Sequence, residues 1–162
     1  MTTANKIDER FLLALRLLMA WTFLYAASHQ VFDPSFSVTG FLSHTKTFNA
    51  FFSIFTMPAV EPVVSFLVAY GHLAIGLSLL SGFLVRISAP VGAAILMMYW
   101  LAHMDFPYID NANNLLIDYH IVYVTVLIYL AVKGAGQYCG LDGIVGEWPT
   151  VQHNPLMRRV LH

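Results

Sequence analysis

Three tyrosine and histidine pairs recur at helical spacing. Tyr25 and His29 are four residues apart, as are Tyr99 and His103, while His120 and Tyr123 are three apart, so each pair shares one helix face. His72 stands alone in an apolar stretch, and Asp105 and Asp118 flank two of the pairs. Imidazole titrates near neutrality and a phenol both donates and accepts hydrogen bonds, so such groups on a common axis can pass protons between a buried reactive centre and water. A quinone headgroup, with two carbonyl oxygens that each need a donor and two protons taken up per reduction, suits a lining of this kind.

The elements that must hold these side chains read as membrane spans. Apolar stretches run over residues 11–30, 63–84, 87–104 and 115–133, each close to the ~20 residues needed to cross hydrocarbon. Asp33 and Pro34 close the first, because proline cannot continue a helical ladder. Pro58 and Pro62 bracket the start of the second, Arg86 ends it, and so few residues follow before the third that the two form a tight hairpin. Gly134-Ala135-Gly136 stops the fourth. Residues 31–62, rich in Phe among Ser, Thr and Asn, suit a loop lying in the interface or folded over the mouth of the helices, and 105–114 form a polar loop. Residues 134–162 are a tail. The expected fold is all-α, an integral membrane four-helix bundle in one domain, residues 1–162.

Composition agrees: 58% of the 162 residues are hydrophobic and 10% charged, more apolar surface than a soluble core of this size could cover. A net charge of −1 argues against nucleic acid, which needs a basic face. Cys139 is the single cysteine, so no internal disulfide forms. The first apolar stretch runs straight into His29 without a small-residue cleavage site, which reads as a retained anchor and not a signal peptide. Of the eight basic residues only Lys46 falls on one side, so the positive-inside rule puts both termini in the cytoplasm and leaves Asp33, Glu61, Asp105, Asp110 and Asp118 outside.

The halves also resemble each other. His72 lies 14 residues before Arg86 and His120 lies 13 before Lys133. Both histidines therefore sit roughly 20 Å from an inner charge at the helical rise per residue. Two helical hairpins of like direction imply a pseudo-twofold axis along the membrane normal, with polar groups gathered near it.

Plainer roles are available for every one of these residues. Tyr, His and Trp are common at membrane boundaries, where Trp21, Trp100 and Tyr108 suit an aromatic belt. Arg16 is either a snorkelling anchor or the partner of a buried anion or carboxylate. Two histidines at equal depth could ligate a haem iron, but no spaced Cys/His motif accompanies them. No metal site is expected, and Cys139 reads as a bystander thiol.

Three stretches carry a family resemblance: Gly71 to Arg86 (GHLAIGLSLLSGFLVR), Leu116 to Val122 (LIDYHIV) and Gly134 to Asp142 (GAGQYCGLD). Together they resemble the DoxX/DoxD family of four-helix membrane proteins over most of the chain. Glutamate is common in that family where this chain has His72, which keeps a protonatable group there. The DoxD branch is the large membrane subunit of thiosulfate:quinone oxidoreductase, so the resemblance implies a multi-pass protein of a prokaryotic plasma membrane that couples thiosulfate oxidation to quinone reduction. Quinone is then the electron acceptor, with a second small subunit as partner. In that scheme His72, His120, Tyr123 and Asp118 are catalytic. Tyr25, Tyr99, His29, His103, Arg16 and Arg86 bind substrates, with His44 or Lys46 near the anionic donor. The alternatives are a non-catalytic accessory subunit of a respiratory or monooxygenase complex, and a haem-b electron carrier.

Overall fold

A computed structural model of the chain describes residues 3–161. The first helix, α1 (Thr3–Val31), begins well before the apolar stretch that defines it. In the expected outer loop the chain folds into α2 (Thr39–Leu42), α3 (Asn49–Phe52) and a 3-10 turn, Ser53–Thr56. Two long helices follow, α4 (Glu61–Ser81) and α5 (Val85–Ala102). Pro62 sits in the first turn of α4, where its missing N–H costs nothing, and Gly82 ends the helix at φ 67°, a left-handed conformation open to glycine. Only Gly82, Phe83 and Leu84 separate the two helices. With α1 they are long and apolar enough to cross a membrane.

The region after α5 departs from expectation in two ways. The loop expected over 105–114 is a small antiparallel sheet of β1 (Met104–Asp105), β2 (Tyr108–Ile109) and β3 (Asn111–Leu115), so the fold is mostly helical but not purely α. The fourth apolar helix, α6 (Tyr119–Val132), starts later than residue 115 and has 14 residues. Its length of ~21 Å is short of a full crossing. Asp118 sets this start: its backbone is extended and its carboxylate accepts the His120 N–H at 3.0 Å, which makes it an N-cap. Leu115 to Ile117 are as apolar as a helix interior, yet they lie in and beyond β3, with Leu116 at φ 60°.

The four apolar helices pack chiefly as α1 on α4 and α5 on α6, joined through α4 on α5. Met19, Phe23, Ile75, Leu79, Ala93, Leu96, Leu127 and Leu130 belong to the shared core. Gly76 lets α1 approach, since a Cβ there would stand 2.7 Å from Leu24 Cγ. Outward faces carry Leu18, Phe66, Leu67, Leu77, Val91, Val122 and Ile128, suited to acyl chains.

The segment between α1 and α4 closes over one end. Val38, Leu42 and Phe52 bury themselves with Ala102 of α5. The Val38 N–H donates to Ser65 Oγ, the Thr47 N–H donates to the Met104 carbonyl, and Lys46 pairs with Asp105 at 2.6 Å. At the opposite end lie a 3-10 turn at Ala135–Gln137 and three short helices, α7 (Leu141–Gly146), α8 (Pro149–Gln152) and α9 (Pro155–Leu161).

Candidate functional site

Helices α4, α5 and α6 each turn a histidine inward near the closed end. His72 and His120 are each 3% exposed, and His103 is half-buried. Their Nδ1 atoms are all committed. His72 Nδ1 donates to the Val68 carbonyl at 2.6 Å and His103 Nδ1 to the Tyr99 carbonyl at 2.8 Å, each one helical turn back. His120 Nδ1 meets Asp118 Oδ2 at 2.6 Å. Carbonyl and carboxylate oxygens only accept, so each ring carries its proton on Nδ1 and presents Nε2 as the free acceptor. None of the three Nε2 atoms has a hydrogen-bond partner among the described residues.

Tyr99 joins these rings into a row. It stacks on His72 with centroids 5.7 Å apart and lies 6.4 Å from His120, which is 5.1 Å from His103. Phe41, from α2, touches both Tyr99 and His103, and Phe23 of α1 touches His72. The Tyr99 hydroxyl lies beside Gln30. Tyr119 covers His120 at 4.1 Å.

Two cavities flank the row, and both are lined by Phe41 and Ala102. One, of about 240 Å³, is polar and faces the closed end, with His44, Lys46, His103, Asp105 and Asp110 on its walls. The other, of about 290 Å³, is an apolar cleft between α4, α5 and the covering segment, walled by Val64, Val68, Ala94, Met98 and Tyr99. Ala94 and Met98 are exposed on the outer surface of α5, so the cleft opens toward where acyl chains would lie.

The site residues expected from spacing therefore divide. His72, Tyr99, His103, His120 and Asp118 come together. Tyr25 and His29 do form a close edge-on pair, 4.7 Å between centroids, but Tyr25 is 57% exposed and both point away from the row beside Trp21. Tyr123 is half-buried and meets Tyr119, not His120. The reason is geometric: spacing of three or four puts two residues on one face without saying which face. Phe23, Phe41, Gln30 and Tyr119 were not singled out. Of these, only Tyr119, next to His120 on the same helix, carried a usable signal.

Arg16 and Arg86 lie at the other end. Arg16 is 1% exposed and its guanidinium donates to the carbonyls of Ala135 (2.6 Å), Tyr138 (2.9 Å) and Cys139 (3.0 Å). Gly82 and Gly140 make room for it, since a Cβ at either would fall within 2.7 Å of Nη1. Asp142 accepts from the Leu84 and Val85 N–H groups at 2.7 and 3.2 Å and so caps α5. Burial pushes its carboxyl upward, while those N–H groups and the charges of Arg16 and Arg86 pull it back. This clasp is what the Gly134 to Asp142 stretch builds, and a Cβ on Gly136 would stand 2.0 Å from Asp142 Oδ2.

A model of the family described as DoxX matches residues 11–104. The chain belongs to the DoxX family. That match takes in α1, α4 and α5, and with them the DoxX positions of His72, Tyr99 and His103, but stops before Asp118 and His120. As a DoxX-family protein with three helices able to span a bilayer, it is a membrane protein. Searches of curated proteins and of solved structures gave no match.

Proposed function

We propose that this DoxX protein is a quinone-linked redox subunit of a prokaryotic plasma membrane, a four-helix bundle with both termini in the cytoplasm, and that thiosulfate is its electron donor. The observation that carries the reading is the row from His72 through Tyr99 to His120 and Asp118, set against an apolar cleft that opens sideways. A quinone is a lipid-soluble ring on an apolar tail, and the cleft receives it from the bilayer with the headgroup against Tyr99.

The balance is simple. Two thiosulfate anions each lose one electron and join through a new sulfur–sulfur bond as tetrathionate, and one quinone takes up both electrons and two protons. Asp118 holds the Nδ1 proton of His120, so Nε2 is the atom that takes up and releases a proton. His72, held the same way by a backbone carbonyl, is the second exchanging group. The polar cavity is the donor's place. It shares Phe41 and Ala102 with the cleft, so only side-chain thickness separates donor from acceptor. The Tyr99 ring packed against both His72 and His120 favours a quinone here over a haem held between the two imidazoles.

A second reading, an accessory subunit packed against a larger complex, draws on the outer face of α1 and the residue just past its end, where Trp21, Tyr25 and Phe32 are exposed. Thiosulfate-dependent quinone reduction by the purified chain, with and without co-purifying proteins, separates the two. No reduction in either preparation would remove the enzymatic reading.

A further inference from the structure

The end of the molecule opposite the histidines carries a second built feature, which none of the chemistry above uses. Arg86, in the first turn of α5, and Arg158 and Arg159, on α9, line an open pocket of about 380 Å³ with Pro155. Beside it runs an apolar groove of about 520 Å³, walled by Phe83, Leu84, Trp148, Val151, Leu156 and Met157. The two interleave along α9, which packs on α5 and α7: arginines face the pocket, and Leu156, Met157 and Val160 face the groove.

Two of the three charges, those of α9, have no carboxylate of their own among the described residues. No acidic side chain among the described residues pairs with Arg158 or Arg159. Asp142 is buried against the Leu84 and Val85 N–H groups and shares its charge with Arg16 and Arg86, not with α9. The height is equally telling. Phe83 and Leu84 mark where α4 ends and α5 begins, so the groove meets the pocket where hydrocarbon gives way to headgroups, with Trp148 exposed as an interfacial anchor.

We propose that this is a binding site for an anionic glycerophospholipid, its phosphate held by Arg158, Arg159 and Arg86 and one acyl chain laid along the groove past Trp148 and Leu156. Guanidinium groups bind phosphate in paired hydrogen bonds, and basic pockets at the cytoplasmic ends of membrane helices take acidic headgroups. The site is independent of the redox reading and requires only that α4 and α5 lie in a bilayer. A free phosphate has the same charge chemistry but nothing to place in the groove.

The test uses the full chain in an uncharged detergent, with short-chain phosphatidylglycerol, short-chain phosphatidylcholine and inorganic phosphate as separate titrants, read by native mass spectrometry. Phosphatidylglycerol should bind about tenfold or more tighter than phosphatidylcholine, and the Arg158→Gln/Arg159→Gln double variant should lose that preference. Both arginines are exposed, so folding is spared. Trp148→Ala should weaken both lipids and keep the preference. Equal binding of the two lipids by the wild-type chain, or a preference that survives in the double variant, overturns the proposal. Competition by inorganic phosphate as effective as by the lipid also overturns it, in favour of a free-anion site.

Discussion

His72 and Tyr99 lie face to face, their ring planes 22° from parallel and their centroids 5.7 Å apart, although they come from different helices. Tyr99 thus fills the space between two buried imidazoles. Tyr99→Ala should open a cavity and cost about 3–5 kcal/mol of stability, while Tyr99→Phe, which keeps the ring, should cost under ~1.5 kcal/mol. Melting of the two variants in one detergent checks this, and equal losses would show that the ring is not what holds the row.

The pairing of Asp118 with His120 predicts a loss in turnover more than in binding. His120→Ala should lower kcat of quinone reduction roughly ten- to a thousandfold with little change in quinone KM, since a positioned proton donor acts in the transition state. Asp118→Asn should lower kcat less. His153→Ala, on the exposed tail, is the control and should match wild type. Indistinguishable rates for all three would leave the proposed reaction without its proton path.

Filling the apolar cleft should do the reverse. Ala94 is exposed at its opening, so Ala94→Trp places a bulky ring in the path of a quinone without touching the histidines. A several-fold higher quinone KM at similar kcat is expected. An unchanged KM would put the acceptor elsewhere.

Arg16 separates a structural role from a substrate role. Arg16→Leu takes the donor from the buried Ala135 carbonyl and from the partly buried carbonyls of Tyr138 and Cys139, and should cost about 3 kcal/mol, the low end for breaking a buried charged network. Arg16→Lys should recover part of it. Whatever fraction folds should reduce quinone at the wild-type rate per molecule, and a KM defect in well-folded Arg16→Lys would instead mark substrate contact.

Orientation is checked with single cysteines in a Cys139→Ser background. Positions Ser43 and Asn113 should react with a membrane-impermeant thiol reagent in intact cells, and Gln152 only after lysis. Labelling of Gln152 without lysis would invert the two sides.

Hydropathy alone located α1, α4 and α5, because a long apolar run has few other solutions. It misjudged where α6 starts, since Leu115 to Ile117 are as apolar as a helix and only Asp118's capping geometry separates them from it. The sheet at 104–115 was hidden by strands of two residues, too short for any alternation to register. At the site, spacing found Tyr99, His103 and His120 as members of helix faces, and His72 stood out as an ionisable group within an apolar stretch. Spacing could not tell that Tyr99 and His103 face inward while Tyr25 and His29 face outward, because that depends on which neighbour each helix packs against. Arg16's partners lie 119 to 123 residues away, beyond any local pattern.

The cap on α5 has a consequence for how the molecule is made. The carboxylate that satisfies the first N–H groups of α5 belongs to Asp142, 57 and 58 residues later in the chain. Until that residue is in place, the turn joining α4 and α5 waits with its donors open to water at the surface. Arg16 waits in the same way for the carbonyls of Ala135, Tyr138 and Cys139. The stretch from Ala135 to Asp142 is therefore the bolt, and a chain cut short at Gly134 would insert all its apolar helices and still never lock.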